Sequence, residues 1–249
     1  MKHNPSSLAY QARYALTHPH RVLPQLRRLI RGTWLQPHTR DQRAGMKSGT
    51  ACGPEGAAGS PSHRRWLALG RMQFDYLTKH GLKPEFTMLE IGCGNLRAGR
   101  LFIDYLDTGN YYGIDNSPDV LFTAQETLVA NGLRDKLPHL TPVRDLCFAF
   151  LPNGHFDVVH AHSVFSHSPP HVIEECFAHV SRVMKPDGWF DFTFDRAEGK
   201  EHNGPGEGFS YRTETLVAMA DRYSLNAAFM DDWEQLPHKQ SKIRITKRT

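Results

Sequence analysis

Nowhere does the sequence approach the roughly 18 consecutive apolar residues that a membrane-crossing helix needs. Its first residues also hold no apolar stretch of the length found in a secretory leader. Cysteine is scarce: Cys52, Cys93, Cys147 and Cys176 stand far apart with no C-x-x-C pair. That spacing excludes a zinc ribbon and a disulfide-dense scaffold, and it suits a reducing cytoplasm. Acidic residues are absent from residues 1–40, and no segment repeats. What is plentiful is ordinary. Hydrophobic residues are 39% and charged residues 22% of 249, enough for a core and for solubility, so a wholly disordered chain is excluded. The length fits one large domain with an appendage.

The net charge of +4 conceals two halves of opposite sign. Residues 1–65 carry eleven Lys and Arg against Asp41 and Glu55, whereas the rest has nineteen basic and twenty-four acidic residues. A basic arm therefore precedes a mildly acidic body. In the arm (1–43), Leu23, Leu26, Ile30 and Trp34 recur at helical spacing with arginines between them. Such a segment suits an extension packed on the body as a lid, a peripheral contact with an anionic membrane, or a dock for RNA phosphates. It also has the Arg-rich, acid-poor character of a transit peptide, although Pro5, Pro19 and Pro24 interrupt it. Residues 44–63 are rich in Gly, Ala, Ser and Pro and read as a linker, leaving 64–249 as the domain proper.

From Arg64 the pattern alternates between strand and helix periods. A helical window through Trp66 and Leu77 stops at His80-Gly81, and Phe86–Ile91 is a short apolar run of the buried parallel type. Leu96–Leu106 reads as helix and Tyr111–Asp115 as strand; Ser117 with Pro118 is then an N-cap followed by proline at the first helical position. That helix ends near Asn131-Gly132. Strands at His139–Val143 and Phe156–Ala161, a helix from Pro170 to Met184 and a strand at Trp189–Phe194 follow. A Gly-rich loop through Gly208, a helix at Thr213–Tyr223 and strands near Leu225–Met230 and Lys242–Thr246 complete the chain. Seven strands alternating with helices mean a mostly parallel sheet covered on both faces. Ligands of such sheets sit beyond the C-terminal strand ends, here after Ile91, Asp115, Val143 and Ala161.

The residues at those ends are unusual. In Glu90-Ile-Gly-Cys-Gly-Asn-Leu-Arg-Ala-Gly99, Gly92 and Gly94 permit a tight turn and close backbone approach to a ligand. Gly99 permits the next helix to lie close to the sheet, and Asp115 ends the second strand where a carboxylate can accept both hydroxyls of a ribose. A nicotinamide-binding turn is excluded by spacing, since position 97 is Arg where a third glycine belongs. Glu90 would also repel a pyrophosphate but welcome a cofactor with a cationic end. No Gly-Lys-Ser/Thr follows, so a phosphate loop is excluded too.

The blocks LEIGCGNLRAG (89–99), YYGIDNSP (111–118), VRDLCF (143–148), FDVVHAHSVFSH (156–167) and RVMKPDGWFDFTF (182–194) resemble, in order and spacing, those of the class I S-adenosylmethionine-dependent methyltransferases. The resemblance covers roughly residues 64–248. It implies a Rossmann-like, doubly wound, mostly parallel seven-stranded sheet with helices on both faces, here with a basic N-terminal helical extension. It also implies S-adenosyl-L-methionine as cofactor. On the matching positions, Glu90, Gly92, Cys93 and Gly94 would surround the methionine part, and Asp115 with Asn116 the ribose. Asp145 would meet the adenine amino group and Leu146 its ring, while His162 would line the pocket. Leu96 stands where the family often has a third glycine.

Methyl transfer to oxygen requires an aligned acceptor and removal of its proton, and histidine has a suitable pKa. His160, His162 and His167 cluster after the fourth strand, with His160 and His162 on one face. Either His162 or His167 is expected as the general base, His167 ahead; packing around the cofactor is the plainer role. No metal is expected: with His171 there are several imidazoles, but no Asp, Glu or Cys completes a motif. Cys93 reads as a small filler, and Cys147 and Cys176 as core thiols.

The acceptor expected is a hydroxyl of a small natural product, a sugar or a lipid-linked glycoconjugate. Ser168-Pro-Pro-His171 only superficially resembles the block used for amino groups of nucleobases, and an acidic body does not suit nucleic acid. Tyr10, Tyr14 and Trp34 of the arm, with Phe209 and Tyr211, are the aromatics that could close over such an acceptor. Three other readings stay open: a small-molecule N-methyltransferase, an RNA or protein methyltransferase docking through the arm, and a non-catalytic cofactor-binding module. The location expected is the cytoplasm, with peripheral membrane contact through the arm.

Overall fold

The computed structural model describes residues 61–204, 208–237 and 239–248; the expectations for the arm and for linker residues 44–60 lie outside them. Helix α1 (Pro61–Lys79) already covers residues 61–63, the end of the expected linker. Strand β1 (Met88–Ile91) leads through the glycine turn into the short α2 (Gly99–Tyr105). Sequence periodicity places the start of α2 at Leu96. In the structure Leu96 adopts φ 65°, the left-handed conformation of the glycine it replaces, and helix cannot form until this is passed.

Strand β2 (Tyr111–Asp115) and α3 (Pro118–Ala130) follow, and the Ser117 hydroxyl accepts the Val120 N–H at 3.4 Å as an N-cap. Next come β3 (His139–Pro142), β4 (Phe156–Ala161), α4 (Pro170–Val183) and β5 (Met184–Arg196). Between β4 and α4 a single 3-10 turn spans Phe165–His167. The expected Gly-rich loop contains a hairpin, β6 (His202–Gly204) with β7 (Gly208–Tyr211). Helix α5 (Thr213–Asp221) and strands β8 (Leu225–Phe229) and β9 (Ser241–Lys247) end the fold.

The main sheet runs β3-β2-β1-β4-β5-β9-β8, parallel except for β9, which is antiparallel to both its neighbours. This is the mostly parallel seven-stranded layout expected. The hairpin is additional: Ser210 and Tyr211 of β7 pair with Asp195 and Arg196 at the far tip of β5. Strand order reverses between β1 and β4, so the crevice that such sheets use for ligands opens there.

Strand β5 divides the interior chemically. Phe190, Phe192 and Phe194 point to one face and pack with Phe165 and Phe177 of the α4 side, centroids 4.9 Å apart for Phe165–Phe192. Asp191 and Thr193 point to the other face, beneath α1. Asp191 is wholly buried and accepts both prongs of the Arg244 guanidinium, at 2.7 and 2.8 Å. Lys242 is also wholly buried. Its Nζ has no hydrogen-bond acceptor, lies 4.0 Å from Asp191, and rests over the rings of Trp233 (4.1 Å) and Tyr76 (4.6 Å). Burial lowers its pKa to about 8. The bidentate geometry makes Arg244 the counter-ion that matters, and Lys242 a charge held mainly by aromatic faces.

Lys242→Met should therefore leave the melting temperature unchanged or raise it. Arg244→Met should cost about 3–5 kcal/mol, because it strands a buried carboxylate. Thermal unfolding of both variants checks this, and the reverse order would assign the neutralisation of Asp191 to Lys242.

Candidate cofactor and acceptor site

The glycine turn after β1 is held from three sides. From β2, the amides of Gly92 and Cys93 both donate to the Ile114 carbonyl, at 2.8 and 3.0 Å. From beyond β4, Val164 packs so closely that a Cβ on Gly92 would lie 2.5 Å from its Cγ2. From above, α1 crosses at Gly70, where a Cβ would lie 2.3 Å from the Arg97 carbonyl oxygen. The Trp66 indole N–H adds a long bond to the Asn95 side chain at 3.4 Å. Gly92 and Gly94 take φ +69° and +56°, and a Cβ on Gly94 would meet nothing within 4 Å. The turn thus presents bare backbone to open space at the β1/β4 crevice.

Asp115 joins the first two strand ends. Its Oδ2 accepts the Gly94 N–H at 3.0 Å and its Oδ1 the Ser117 N–H at 2.9 Å. Each carboxylate oxygen can accept more than one bond. Asn116, half-buried, follows directly. Asp145 and Leu146 lie just past β3. The Asp145 carboxylate accepts the Cys147 N–H at 3.2 Å, and Leu146 is buried with its N–H held by Glu175 of α4 at 3.0 Å.

Glu90 lies beneath this turn. It is 4% exposed and accepts a hydrogen bond from the Tyr111 hydroxyl, in a space where a Cβ on Gly99 would touch both groups. Gly99 therefore lets α2 descend onto the sheet. Burial pushes the Glu90 carboxyl up to about 7, against the opposing influence of Tyr111 and Arg97. Cys93 is buried with its Sγ against Gly113, as a filler would be, and Cys176 is a core thiol. Cys147, expected in the core, is instead half-exposed, in the segment that follows the edge strand β3.

His160 and His162 do share one face, with ring centroids 6.3 Å apart. His160 is fully buried, with Nε2 3.3 Å from Gln73 Oε1, and burial holds its pKa well below the usual value. It is a neutral core residue. His162 is half-buried, its ring 5.9 Å from that of Trp233. His167 is exposed on the 3-10 turn, and His171 is exposed in α4. Among the described residues no three His, Cys, Asp or Glu side chains gather closely enough to hold a metal. Two aromatics offered as lid residues belong to the body: Phe209 is buried, and the buried Tyr211 donates its hydroxyl to the Ser168 carbonyl at 2.6 Å.

Comparison with known proteins places this geometry. Residues 89–190 match the family model described as a methyltransferase domain. That match runs from β1 into β5 and takes in 102 of the 249 residues. Over 131 residues the chain is 26% identical to a sterol 24-C-methyltransferase of Neurospora crassa, a match that covers 53% of this chain and one third (33%) of that protein. The fold is shared with a protein of Pyrococcus horikoshii (TM-score 0.58, 18% identity, 79% of this chain and 95% of that one). It is shared likewise with a magnesium protoporphyrin IX methyltransferase of Synechocystis solved with SAH bound (TM-score 0.56, 13% identity, 77% and 90%).

Sequence reading missed Trp66, Gly70, Tyr111, Val164 and Glu175 as residues that shape the site. Each acts on a site residue through space, and only Gly70, inside an otherwise helical run, left a local trace.

Two outcomes follow from these contacts. Gly70→Ala forces a methyl group into a backbone carbonyl that cannot swing aside, so it should lower both the melting temperature and the affinity for S-adenosylhomocysteine. An unchanged affinity would separate α1 from the turn. Glu90 has a raised pKa in the folded state, so its stabilising contribution is complete below about 4.5 and is lost as pH rises through about 7. The loss amounts to roughly 3 kcal/mol. Melting curves between pH 5 and 8 should fall for the native protein and flatten for Glu90→Gln; equal slopes would place the titration elsewhere.

Proposed function

We propose that the protein is an S-adenosylmethionine-dependent methyltransferase acting on a hydroxyl group of a small molecule. The observation that carries the cofactor is the Asp115 carboxylate, which joins the turns after β1 and β2 beside Gly92 and Gly94 at the strand-order reversal. The residues fit the group: a carboxylate for ribose hydroxyls and a buried Leu146 with Asp145 for an adenine, whereas Glu90 is sunk beneath the turn on the Tyr111 hydroxyl and does not face a ligand. When bound, S-adenosylmethionine supplies an electrophilic methyl group on sulfur.

The residues of this chain would align the acceptor with that methyl and exclude water, and alignment supplies much of the rate. Oxygen is favoured as acceptor by the imidazoles after β4. His167, exposed at the rim, is the better general base, since His162 lies between His160 and Trp233 on the helix-covered face. The Neurospora relative methylates a carbon by its name, but the match covers too little of that enzyme to carry its acceptor here. The basic residues 1–43 supply the second reading, a macromolecular acceptor docked through the arm.

Calorimetric titration should show micromolar binding of S-adenosylmethionine and S-adenosylhomocysteine and none of NAD. Asp115→Ala should weaken both by about tenfold or more, the loss expected for hydrogen bonds to a charged group. Undiminished binding would misplace the ribose. With an acceptor in hand, His167→Ala should lower kcat by about 100-fold, as for other general bases, and leave cofactor affinity intact. Full kcat in both His167→Ala and His162→Ala would leave alignment as the whole of catalysis. A steep loss of acceptor binding with salt, abolished by removing residues 1–60, would instead select the macromolecular reading.

A further inference from the structure

A second organising centre lies beside the crevice. The side-chain amide of Gln240, in the connection that enters β9, is fully engaged. Its Oε1 accepts from the hydroxyls of Ser163 (2.9 Å) and Thr193 (2.8 Å), and its Nε2 donates to Ser166 Oγ and Asp195 Oδ1, both at 3.0 Å. The Thr193 hydroxyl in turn accepts the Ser163 N–H at 2.8 Å. The carboxylate of Asp195 can only accept, which fixes which end of the amide faces it. Four bonds exhaust the donors and acceptors of this amide, so its work is to hold protein, with no group left over for an acceptor molecule.

What it holds is the segment after β4. Ser163 adopts φ 59°, a left-handed conformation that costs a non-glycine residue roughly 1 kcal/mol and persists only where surroundings impose it. Here the imposing bonds are those of Gln240 and Thr193. The next residue, Val164, is the one pressed against Gly92, and His162 and His167 flank the pair. The β6–β7 hairpin adjoins the same knot. A Cβ on Gly208 would lie 3.5 Å from the Ser166 carbonyl oxygen, and Asp195 is paired with Ser210.

The geometry points to Gln240 as a positioning residue that, through Ser163 and Val164, sets the shape of the cofactor turn and the placement of the two histidines beyond β4. The inference rests on the methyltransferase reading above for what the turn binds. No local pattern marks Gln240: it stands alone in a polar loop and is defined by four partners distant in sequence.

The test exchanges the polarity of one bond. Gln240→Glu turns the donor facing Asp195 into an acceptor, setting two carboxylates against each other. Adding Asp195→Asn supplies a donor in the opposite direction and restores the pairing. Two readouts apply: amide hydrogen exchange of the protein without ligand, and S-adenosylhomocysteine affinity by calorimetry. The single variant should exchange faster at residues 162–168 and 92–95 and bind S-adenosylhomocysteine about tenfold more weakly, with the double variant recovering to within about twofold, as coupled neighbours do. Should the single variant fail to fold, Thr193→Val removes one hydroxyl at constant shape and should act in the same direction.

Faster exchange confined to residues 193–196 and 237–242, unchanged affinity in a less stable protein, or no recovery in the double variant would each reduce Gln240 to a structural bond and overturn the inference. If the native protein itself does not bind S-adenosylhomocysteine, the proposed function falls, and the exchange pattern still decides whether Gln240 shapes the turn.

Discussion

The carboxylate of Asp115 accepts an amide from each of two turns, one after β1 and one after β2. Those bonds convert two flexible strand ends into a single rigid rim. Everything else around the crevice supports this arrangement from outside: Val164 against Gly92, α1 over Arg97, and Glu175 on the Leu146 amide.

Below the rim the sheet carries a row of ionisable groups. Glu90, His160, Asp191 and Arg244 are register partners across β1, β4, β5 and β9, and the first three are at most 4% exposed. Each meets burial differently. Glu90 leans on Tyr111 with a pKa raised to about 7, His160 stays neutral, and Asp191 is gripped at both oxygens by Arg244. Buried polar groups of this kind add little net stability but penalise other registers heavily, since any one-residue slip would turn them into the phenylalanine layer.

Much of this was legible in the sequence. The alternation of Phe190, Phe192 and Phe194 with Asp191 and Thr193 marked a strand, and the Ser117-Pro118 pair marked the start of α3 to the residue. The left-handed φ of Leu96 shows why the resemblance held despite a missing glycine: the backbone conformation is kept, and a buried leucine bears the strain. The hairpin β6–β7 was not legible. Its strands are three and four residues long and rich in glycine, so neither carries an alternating pattern, and pairing with the tip of β5 is what makes them strands.

By itself the sequence determined the order of strands and helices and where the glycine turn and its acidic partner fall. These depend on periodicity, capping and backbone sterics, which act between residues a few positions apart. Only the tertiary structure decided which histidine is core and which is exposed, that Glu90 is sunk beneath its turn, and that Gln240 ties the end of β4 to the ends of β5 and β9. Burial and hydrogen-bond partnership are properties of segments brought together from 21 to 87 positions away, and no local pattern encodes them.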